Sequence, residues 1–247
     1  MILGKGRQVG LCKGMIGTSD RSRLRRNLLL CLALVLWLPG GNFCAGAEEL
    51  APLKIKLPAP TFIGTPSDSP ASPNVEKPLG KPRPPLMAPA DVTNVALGKP
   101  VTSSDTNAIA ANLAKITDGE KEALDENVVL LRKGPQWVQI DLGSRQEIYA
   151  IVVWHAHDVA KVCHGVVVQV ADNADFTENL RTLFNNDAEN KVGQGAGANR
   201  EYFETNEGKL IEGKGTPARY VRLYSNGSSE ARYNQYTEVE VYGRPAK

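Results

Sequence analysis

The sequence predicts an all-β domain over residues 91–247, arranged as an antiparallel β-sandwich. Several short segments alternate apolar and polar residues, which is the two-residue period of half-buried strands. Gly, Asn and Asp separate these segments, and none of them keeps a 3.6-residue apolar period. Ala108–Ile116 can form at most a short turn of helix. Strands without helices between them favour two antiparallel sheets packed face to face.

The predicted strands follow one another at short intervals. The clearest are Gln136–Gly143, Glu147–His155, Gly165–Ala171, Ala218–Tyr224 and Thr237–Gly243, and the weaker ones are Arg181–Phe184 and Glu201–Thr205. In Ala218–Tyr224, Val221 and Leu223 occupy one face, and Tyr220, Arg222 and Tyr224 occupy the other. Cys163 is the only cysteine after residue 47, so this part has no internal disulfide, and we expect Cys163 to be a small buried apolar residue.

The first 47 residues are typical of a secretory signal peptide. Four arginines between positions 21 and 26 precede the apolar run Leu28–Leu38, which is too short to span a bilayer as a helix. Ala45, Gly46 and Ala47 provide small residues for cleavage before Glu48. Met15 is a candidate start, and an uncleaved membrane anchor is the alternative. We therefore expect a secreted or extracytoplasmic protein, without a transmembrane segment once the signal peptide is cleaved.

Charge and proline content divide the chain further. Residues 1–47 carry seven Lys/Arg and one Asp, a net charge of +6, whereas the remainder has 22 basic and 26 acidic residues, a net charge of −4; together they give +2. The remainder therefore has no basic surface of the kind that nucleic-acid binding needs. Residues 51–90 contain eleven prolines, which exclude helices and central strands. We expect residues 48–90 to be a disordered linker, either a spacer or a free tail.

Five blocks in the predicted domain carry a family resemblance. They are Asn94–Thr102, Thr117–Gly119, Trp137–Gly143, Ala218–Tyr224 and Glu238–Gly243, in that order. Together they resemble the discoidin, or coagulation factor 5/8 type C, domain of the galactose-binding-like superfamily, which includes family 32 carbohydrate-binding modules. The resemblance implies a jelly-roll β-sandwich of about eight strands, with ligand-contacting loops at one end and Trp137 in the core.

The resemblance also implies a structural calcium site. Related modules often bind Ca²⁺ through an Asp-Gly turn, nearby carbonyl groups and the Glu that opens the last strand, and Ca²⁺ prefers such oxygen ligands. The corresponding residues here are Asp118, Glu120, Glu122, the Thr237 carbonyl and Glu238. The Thr/Trp that follows in the family is absent, and Ala123–Asn127 stands in its place. The alternative is an ordinary turn at Asp118 and a solvated Glu238.

All three histidines lie within ten residues of one another. His155, His157 and His164 surround Lys161 and Cys163, which is a set of side chains that could bind Zn²⁺, although the spacing matches no known zinc signature. An ordinary polar loop is the alternative. By the resemblance, this loop lies at the ligand-binding end, which makes His155, His157 and Lys161 candidates for binding a carbohydrate.

A second loop offers further candidates for ligand binding. Arg232, Tyr233 and Asn234 combine an aromatic face with polar groups, as in saccharide sites, although this loop too could be a plain connection. Gly193–Gly197 is interpreted as a flexible loop, and no set of residues indicates catalysis. The sequence thus predicts a non-catalytic module that binds a carbohydrate or cell-envelope polymer. The alternatives are a structural or adhesive cell-surface protein that binds another secreted protein, and an accessory subunit of a secreted glycan-active enzyme.

Overall fold

Strands dominate the parts of the chain that the computed structural model describes, which are residues 48–62, 74–108 and 110–247. The strands are β1 (Leu50–Pro52), β2 (Met87–Pro89), β3 (Thr93–Asn94), β4 (Val101–Ser103), β5 (Val129–Leu131), β6 (Gln136–Trp154), β7 (Val162–Cys163), β8 (Val167–Ala171), β9 (Arg181–Asn185), β10 (Tyr202–Phe203), β11 (Lys209–Ser225), β12 (Asn234–Tyr236) and β13 (Glu238–Pro245). One short α-helix, α1 (Ala110–Leu113), continues into the 3₁₀ turn Ala114–Thr117, and a second 3₁₀ turn covers Asp125–Asn127. The proposed signal peptide and residues 63–73 of the linker lie outside the described residues.

A seven-stranded antiparallel sheet folds over to make most of the sandwich. Its order is β3-β13-β6-β11-β8-β9, and β4 also pairs with β6. The first half of β6 pairs with β4, whereas its second half pairs with β13, and β11 follows both halves. The β6–β11 register shifts between Glu212 and Thr216 and between Ala218 and Tyr220. These bulges allow two long strands to belong to both layers.

Glycines and one lysine make the bend possible. Gly143 in β6 has a φ of 85°, and Gly215 in β11 has a φ of 75°, both in the left-handed region where a Cβ is unfavourable. Lys214 also has a positive φ, 52°. Since β6 and β11 both fold back at this corner, the start and the end of each strand lie at the same end of the sandwich. That end carries the loops described below.

The core fills the space between the two layers. Val138 and Ile140 from the first half of β6 and Ile151 and Val153 from its second half belong to one buried apolar cluster. Val221 and Leu223 from β11 join them, as the alternation of this segment predicts. The prediction of an all-β antiparallel sandwich is therefore confirmed, with thirteen short and long strands among the described residues instead of about eight.

The proline-rich segment packs against the sandwich in its described parts, which differs from the predicted disordered linker. Strand β1 pairs with β2, and Leu53 and Ile55 pack with Leu86 over the outer side of the β6–β13 layer. There they pack against a buried cluster of Ala150, Val152, Trp154 and Tyr242. The prolines prevent a regular strand, but the alternation of apolar and charged residues in 53–56 still presents an apolar face to the domain.

The predicted strands lie at the expected positions in the chain, but some of them are longer than predicted. The prediction for one core residue, Trp137, was also wrong. Gln136–Gly143 and Glu147–His155 are a single bent strand, and Ala218–Tyr224 is the end of the longer β11. The expectation that Trp137 is in the core was wrong, because Trp137 is partly exposed on the outer face. The Arg222 guanidinium lies 4.6 Å from its ring centroid, and Val138 takes the inward position. No helix in the described part of the chain has the length and apolar character needed to cross a bilayer.

Candidate functional site

Four connections meet at the end of the sandwich where β6 and β11 begin and end. They are the β6–β7, β7–β8, β9–β10 and β11–β12 loops. Backbone hydrogen bonds join two of them directly: His164 N donates to Gly227 O at 3.0 Å, and Asn226 N donates to His164 O at 2.9 Å. Ser229 N donates to Val162 O at 2.9 Å. The loops therefore form one continuous surface that the sheet holds in place.

A polar cleft of about 620 Å³ lies in this surface. Its walls come from the β7–β8 loop, the long β9–β10 loop and the start of the β11–β12 loop, and residue 74 of the N-terminal segment adds a further edge. The lining side chains carry imidazole, amide, carboxylate, ammonium and guanidinium groups, and they include His164, Asp187, Lys191, Asn199, Arg200, Glu201 and Asn226. The cleft therefore offers both donors and acceptors within a small space.

Two of the charged groups in the cleft are fixed by neighbouring residues. Glu201 Oε1 lies 2.6 Å from His164 Nδ1, and both side chains are partly exposed. Asp187 is buried, and its two carboxylate oxygens accept hydrogen bonds from the backbone N–H groups of Lys191 and Val192 at 3.0 and 2.6 Å. Asp187 thus shapes the β9–β10 loop.

Arg200 is the most available charged group in the cleft. It is exposed, and it forms no hydrogen bond or ion pair with any residue that the structure describes. The loop before it passes close to β9, since a Cβ on Gly197 would lie 2.2 Å from Asn185 O. Gly197, the last residue of the segment Gly193–Gly197 that the sequence predicts to be a flexible loop, lines the cleft. A guanidinium held on such a loop can donate several hydrogen bonds to a ligand.

A second cavity lies between the N-terminal segment and β10–β11. Its volume is about 490 Å³, and Phe62, Tyr202 and Phe203 are among the residues that line it. Arg83 closes one side, because its Nη1 donates to Gly208 O at 2.9 Å and its backbone N–H donates to the Glu207 carboxylate. This cavity depends on the packing of the N-terminal segment, whereas the polar cleft is made mainly by loops of the sandwich.

Three residues predicted to contact a carbohydrate are buried instead. His155, His157 and Lys161 are at most 4% exposed. His157 Nε2 lies 2.8 Å from Lys121 O, and Lys161 Nζ donates to Asp158 Oδ1 at 2.9 Å and to Gln235 Oε1 at 3.2 Å. Their burial differs from the exposed position that a sugar contact needs, because the β6–β7 loop turns these side chains into the domain.

The three candidate ligand-binding residues of the β11–β12 loop differ in their exposure. Arg232 and Tyr233 are exposed, with Lys133 Nζ 5.1 Å from the Tyr233 ring centroid. Asn234 is buried, where its Nδ2 donates to Arg132 O and Gly134 O at 2.7 and 2.9 Å and its Oδ1 accepts from Gly227 N. Asn234 therefore has a structural role, whereas Arg232 and Tyr233 are exposed on the β11–β12 loop and are not among the residues that line the cleft.

The predicted calcium ligands come together only in part. Gly119 N, in the turn after Asp118, donates to Glu238 Oε1 at 3.2 Å, so the turn and the start of β13 are adjacent. Glu120 is exposed, and the Glu122 carboxylate accepts a hydrogen bond from Ala59 N at 3.1 Å. Asp118 and Glu238 are thus near each other, whereas Glu120 and Glu122 are committed to solvent and to the N-terminal segment.

Glu238 nevertheless has the properties expected beside a cation. It is completely buried, and burial raises the pKa of its carboxyl to about 9, with Glu240 and Asp118 adding to the rise. Its Oε2 and the Thr237 hydroxyl have no hydrogen-bond partner in the described part of the protein. Unpartnered buried oxygens next to Asp118 suit an oxygen-binding cation such as Ca²⁺, which would compensate the buried charge.

A buried cluster joins one predicted histidine to a residue that sequence reasoning missed. His155 Nδ1 lies 3.0 Å from Glu204 Oε2, and Cys163 Sγ lies 3.6 Å from the same oxygen. Burial and the nearby Glu204 raise the pKa of the Cys163 thiol well above its ordinary value. Cys163 is therefore buried as predicted, although its neighbours are polar as well as apolar. His157 and His164 do not belong to this cluster.

Several cleft residues escaped the sequence analysis for a clear reason. Asp187, Asn199 and Arg200 lie in a long connection without a strand pattern or a recognisable motif, and Glu201 is only the first residue of the weaker predicted strand Glu201–Thr205. The density of Asn, Asp and Gly in 185–199 was the available signal, because such residues build loops with many side-chain to backbone hydrogen bonds. Only the fold shows that this loop faces His164 and Asn226.

Solved structures that are similar to this chain include three modules. A chitosan-binding module of a chitosanase/glucanase from Paenibacillus sp. IK-5 is 22% identical; the match covers 61% of this chain and 99% of that one, with a TM-score of 0.40. The CBM32 of AlyQ, in complex with 4,5-unsaturated mannuronic acid, is 19% identical over 57% and 92% of the two chains, with a TM-score of 0.41. A fucose-binding module from Streptococcus pneumoniae is 17% identical over 61% and 97%, also with a TM-score of 0.41.

No family model matches the chain, and no curated protein matches it.

Proposed function

We propose that this protein is an exported, non-catalytic module that binds a saccharide through the loops at one end of its sandwich. The observation that carries the proposal is the polar cleft of about 620 Å³ between the β7–β8, β9–β10 and β11–β12 loops. Saccharide hydroxyls both donate and accept hydrogen bonds, and the cleft supplies matching groups of both kinds. The resemblance of the five sequence blocks to carbohydrate-binding modules of family 32 supports the same assignment.

The roles within the cleft follow from exposure and existing partners. Arg200 donates hydrogen bonds to the ligand, because its guanidinium has no partner in the described protein. His164 and Glu201 form a partly exposed pair that presents one donor and one acceptor side by side. Tyr233 and Arg232 are exposed elsewhere on the β11–β12 loop, where an aromatic ring can contact the apolar face of a sugar ring. We expect weak binding, because the cleft is open to solvent.

Glycan-array screening of the purified chain, followed by titration calorimetry with the best saccharide, tests this proposal. We expect Arg200→Ala and His164→Ala each to weaken binding by about tenfold or more, which corresponds to the loss of one or two hydrogen bonds, at about 1.4 kcal/mol for each factor of ten. Arg181→Ala, an exposed arginine on β9, is the matched control and should bind normally.

The other possible functions give different results in the same experiments. Binding that is insensitive to the cleft variants but lost in Tyr233→Ala would move the site to Tyr233 on the β11–β12 loop. Absence of saccharide binding, together with capture of a secreted protein partner, would replace the proposal with an adhesive function. Glycan hydrolysis by a highly purified sample would contradict a non-catalytic module.

We also propose a structural Ca²⁺ held by Asp118, Glu238 and the backbone around Thr237, with Glu120 and Glu122 outside the first set of ligands. The ion would supply positive charge to a buried carboxylate and tie the 118–119 turn to β13. Thermal unfolding in EDTA and in millimolar calcium tests this proposal. An increase of several degrees in calcium is expected, and identical melting curves would exclude the ion.

A further inference from the structure

The cluster of His155, Cys163 and Glu204 is built by the pairing of two short strands. Tyr202 on β10 lies opposite Cys163 on β7 in the antiparallel register, so their side chains share a face. Glu204 follows Tyr202 by two residues, and its backbone N–H donates to Lys161 O at 2.8 Å, which continues the pairing. His155 reaches this face from the end of β6. The imidazole, the thiol and the carboxylate thus come from three chain segments and lie close together.

The distances among these groups are those of ligands around one small ion. In a tetrahedral zinc site, Zn–S of about 2.3 Å and Zn–N or Zn–O of about 2.0 Å separate sulfur from oxygen by roughly 3.5 Å and nitrogen from oxygen by roughly 3.3 Å. Here Cys163 Sγ is 3.6 Å from Glu204 Oε2, and His155 Nδ1 is 3.0 Å from it. All three ligand atoms lie within 4.8 Å of one another.

We propose that His155, Cys163 and Glu204 bind a structural Zn²⁺. Thiolate, imidazole and carboxylate together are a donor set that zinc prefers, whereas Ca²⁺ requires oxygen ligands. The fourth ligand would be a water or the Tyr202 hydroxyl, which lies 3.4 Å from His155 Nδ1. The site is independent of the saccharide cleft.

The burial of the Glu204 carboxylate favours a bound metal ion over a cluster held together by hydrogen bonds alone. Glu204 is completely buried, and its Oε1 has no hydrogen-bond partner in the described protein. A buried carboxylate that is only half satisfied is costly, and a divalent cation would compensate its charge. When zinc binds, the Cys163 S–H bond breaks, the proton leaves to solvent, and the thiolate forms the Zn–S bond. Zn²⁺, one thiolate and one carboxylate then sum to zero charge in the apolar interior.

The enclosure of the cluster indicates a structural role and not a catalytic one. Cys163 and His155 are 2% and 4% exposed, so no substrate can reach an open coordination position. The ion would tie β7 and β10 to the end of β6, beneath the loops that form the cleft. A metal bound in the folded state and absent from the unfolded chain stabilises the fold directly.

Metal analysis and cobalt substitution of the full-length chain test the site. We expect about one equivalent of zinc per chain after dialysis, and a thiolate-to-cobalt charge-transfer band when Co²⁺ replaces it. Cys163→Ser should remove that band, and Glu204→Gln and His155→Ala should weaken zinc binding at least a hundredfold. Zinc should raise the midpoint of thermal unfolding of the wild-type chain by roughly 10 °C at a thousandfold excess over its Kd.

Two controls separate this site from other metal-binding groups in the chain. The triple variant Cys12→Ser, Cys31→Ser, Cys44→Ser should retain the cobalt band, and His164→Ala should retain zinc because it lies outside the cluster. A wild-type chain that binds no zinc, or a cobalt band that persists in Cys163→Ser, would overturn the proposal. The wild-type measurements decide the outcome even if one of the cluster variants fails to fold.

Discussion

Glu238 should make the stability of this protein fall as the pH rises when calcium is absent. Its carboxyl is completely buried at the start of β13, and burial raises its pKa to about 9 from the ordinary value of about 4.3. Because the pKa is raised in the folded state, the stabilising contribution is fully present below about pH 4.3. It is lost progressively as the pH rises to about 9.

The size of this effect follows from proton linkage. Between the two pKa values, the unfolded chain has released the proton that folded Glu238 still holds, so the free energy of unfolding decreases by about 1.4 kcal/mol per pH unit. From pH 5 to pH 8 the decrease amounts to at most about 4 kcal/mol. Glu238→Gln keeps the shape of the side chain but removes the titration.

Urea unfolding of the wild-type chain and Glu238→Gln, in EDTA at several pH values between 5 and 8, measures this difference. We expect the variant to gain stability relative to wild type as the pH rises, by up to about 4 kcal/mol at pH 8. Glu230→Gln, at an exposed glutamate, should follow the wild-type curve. The neighbouring charges of Asp118, Lys121 and Glu240 are the same in both chains, so they cancel in the comparison.

The same unfolding measurements in calcium instead of EDTA test whether an ion binds Glu238. Ca²⁺ binds the ionised carboxylate, so millimolar calcium should flatten the pH dependence of the wild-type chain and leave Glu238→Gln unchanged. Parallel pH profiles of wild type and variant in EDTA would refute the burial argument. A calcium response that persists in Glu238→Gln would show that the ion binds elsewhere.

Two further predictions concern the packing around Trp154. Gly208→Ala should lower the free energy of unfolding by about 2–4 kcal/mol, because the new Cβ would lie 2.8 Å from the Trp154 ring at a φ of +62°. Urea unfolding measures this loss. Gly193→Ala is the control, and it should cost only about 1 kcal/mol because nothing lies within 4 Å of its Cβ position. Leu53→Ala combined with Ile55→Ala should cost about 2–4 kcal/mol, since both side chains pack against the buried cluster that contains Trp154. Lys54→Ala is the matched control. If the double variant were as stable as Lys54→Ala, the packing of Leu53 and Ile55 would contribute nothing to the stability of the fold.

The fold class could be predicted because it depends on local patterns. Alternation in 218–224 identifies both the strand and its inner face, since successive side chains in a strand point to opposite sides. The alternation in 53–56 likewise marks which side chains of the N-terminal segment are apolar. It does not reveal that these residues pack against the cluster that contains Trp154, because that packing joins positions about one hundred residues apart in the chain.

The residues of the candidate sites could not be grouped from local sequence patterns. His155, His157 and His164 are neighbours in the sequence, yet the structure sends them to three environments: a cluster with Cys163 and Glu204, a hydrogen bond to a backbone carbonyl, and the polar cleft. Arg200 lies in a connection without any predicted element, and Glu204 lies in the weaker predicted strand Glu201–Thr205, where nothing in the sequence marks it as a partner of His155 and Cys163. Spacing along the chain predicts proximity only within one strand or turn, whereas these sites join several loops.

The amino-acid order alone therefore determined the periodicity of the strands, the breaks between them and the absence of long helices from the described part of the sandwich. The bend of β6 and β11, and with it the meeting of four loops at one end, was decided by tertiary packing. The physical reason is that strand patterning is a property of consecutive residues, whereas a cleft or an ion site depends on which distant segments are brought together when two layers bury a common core.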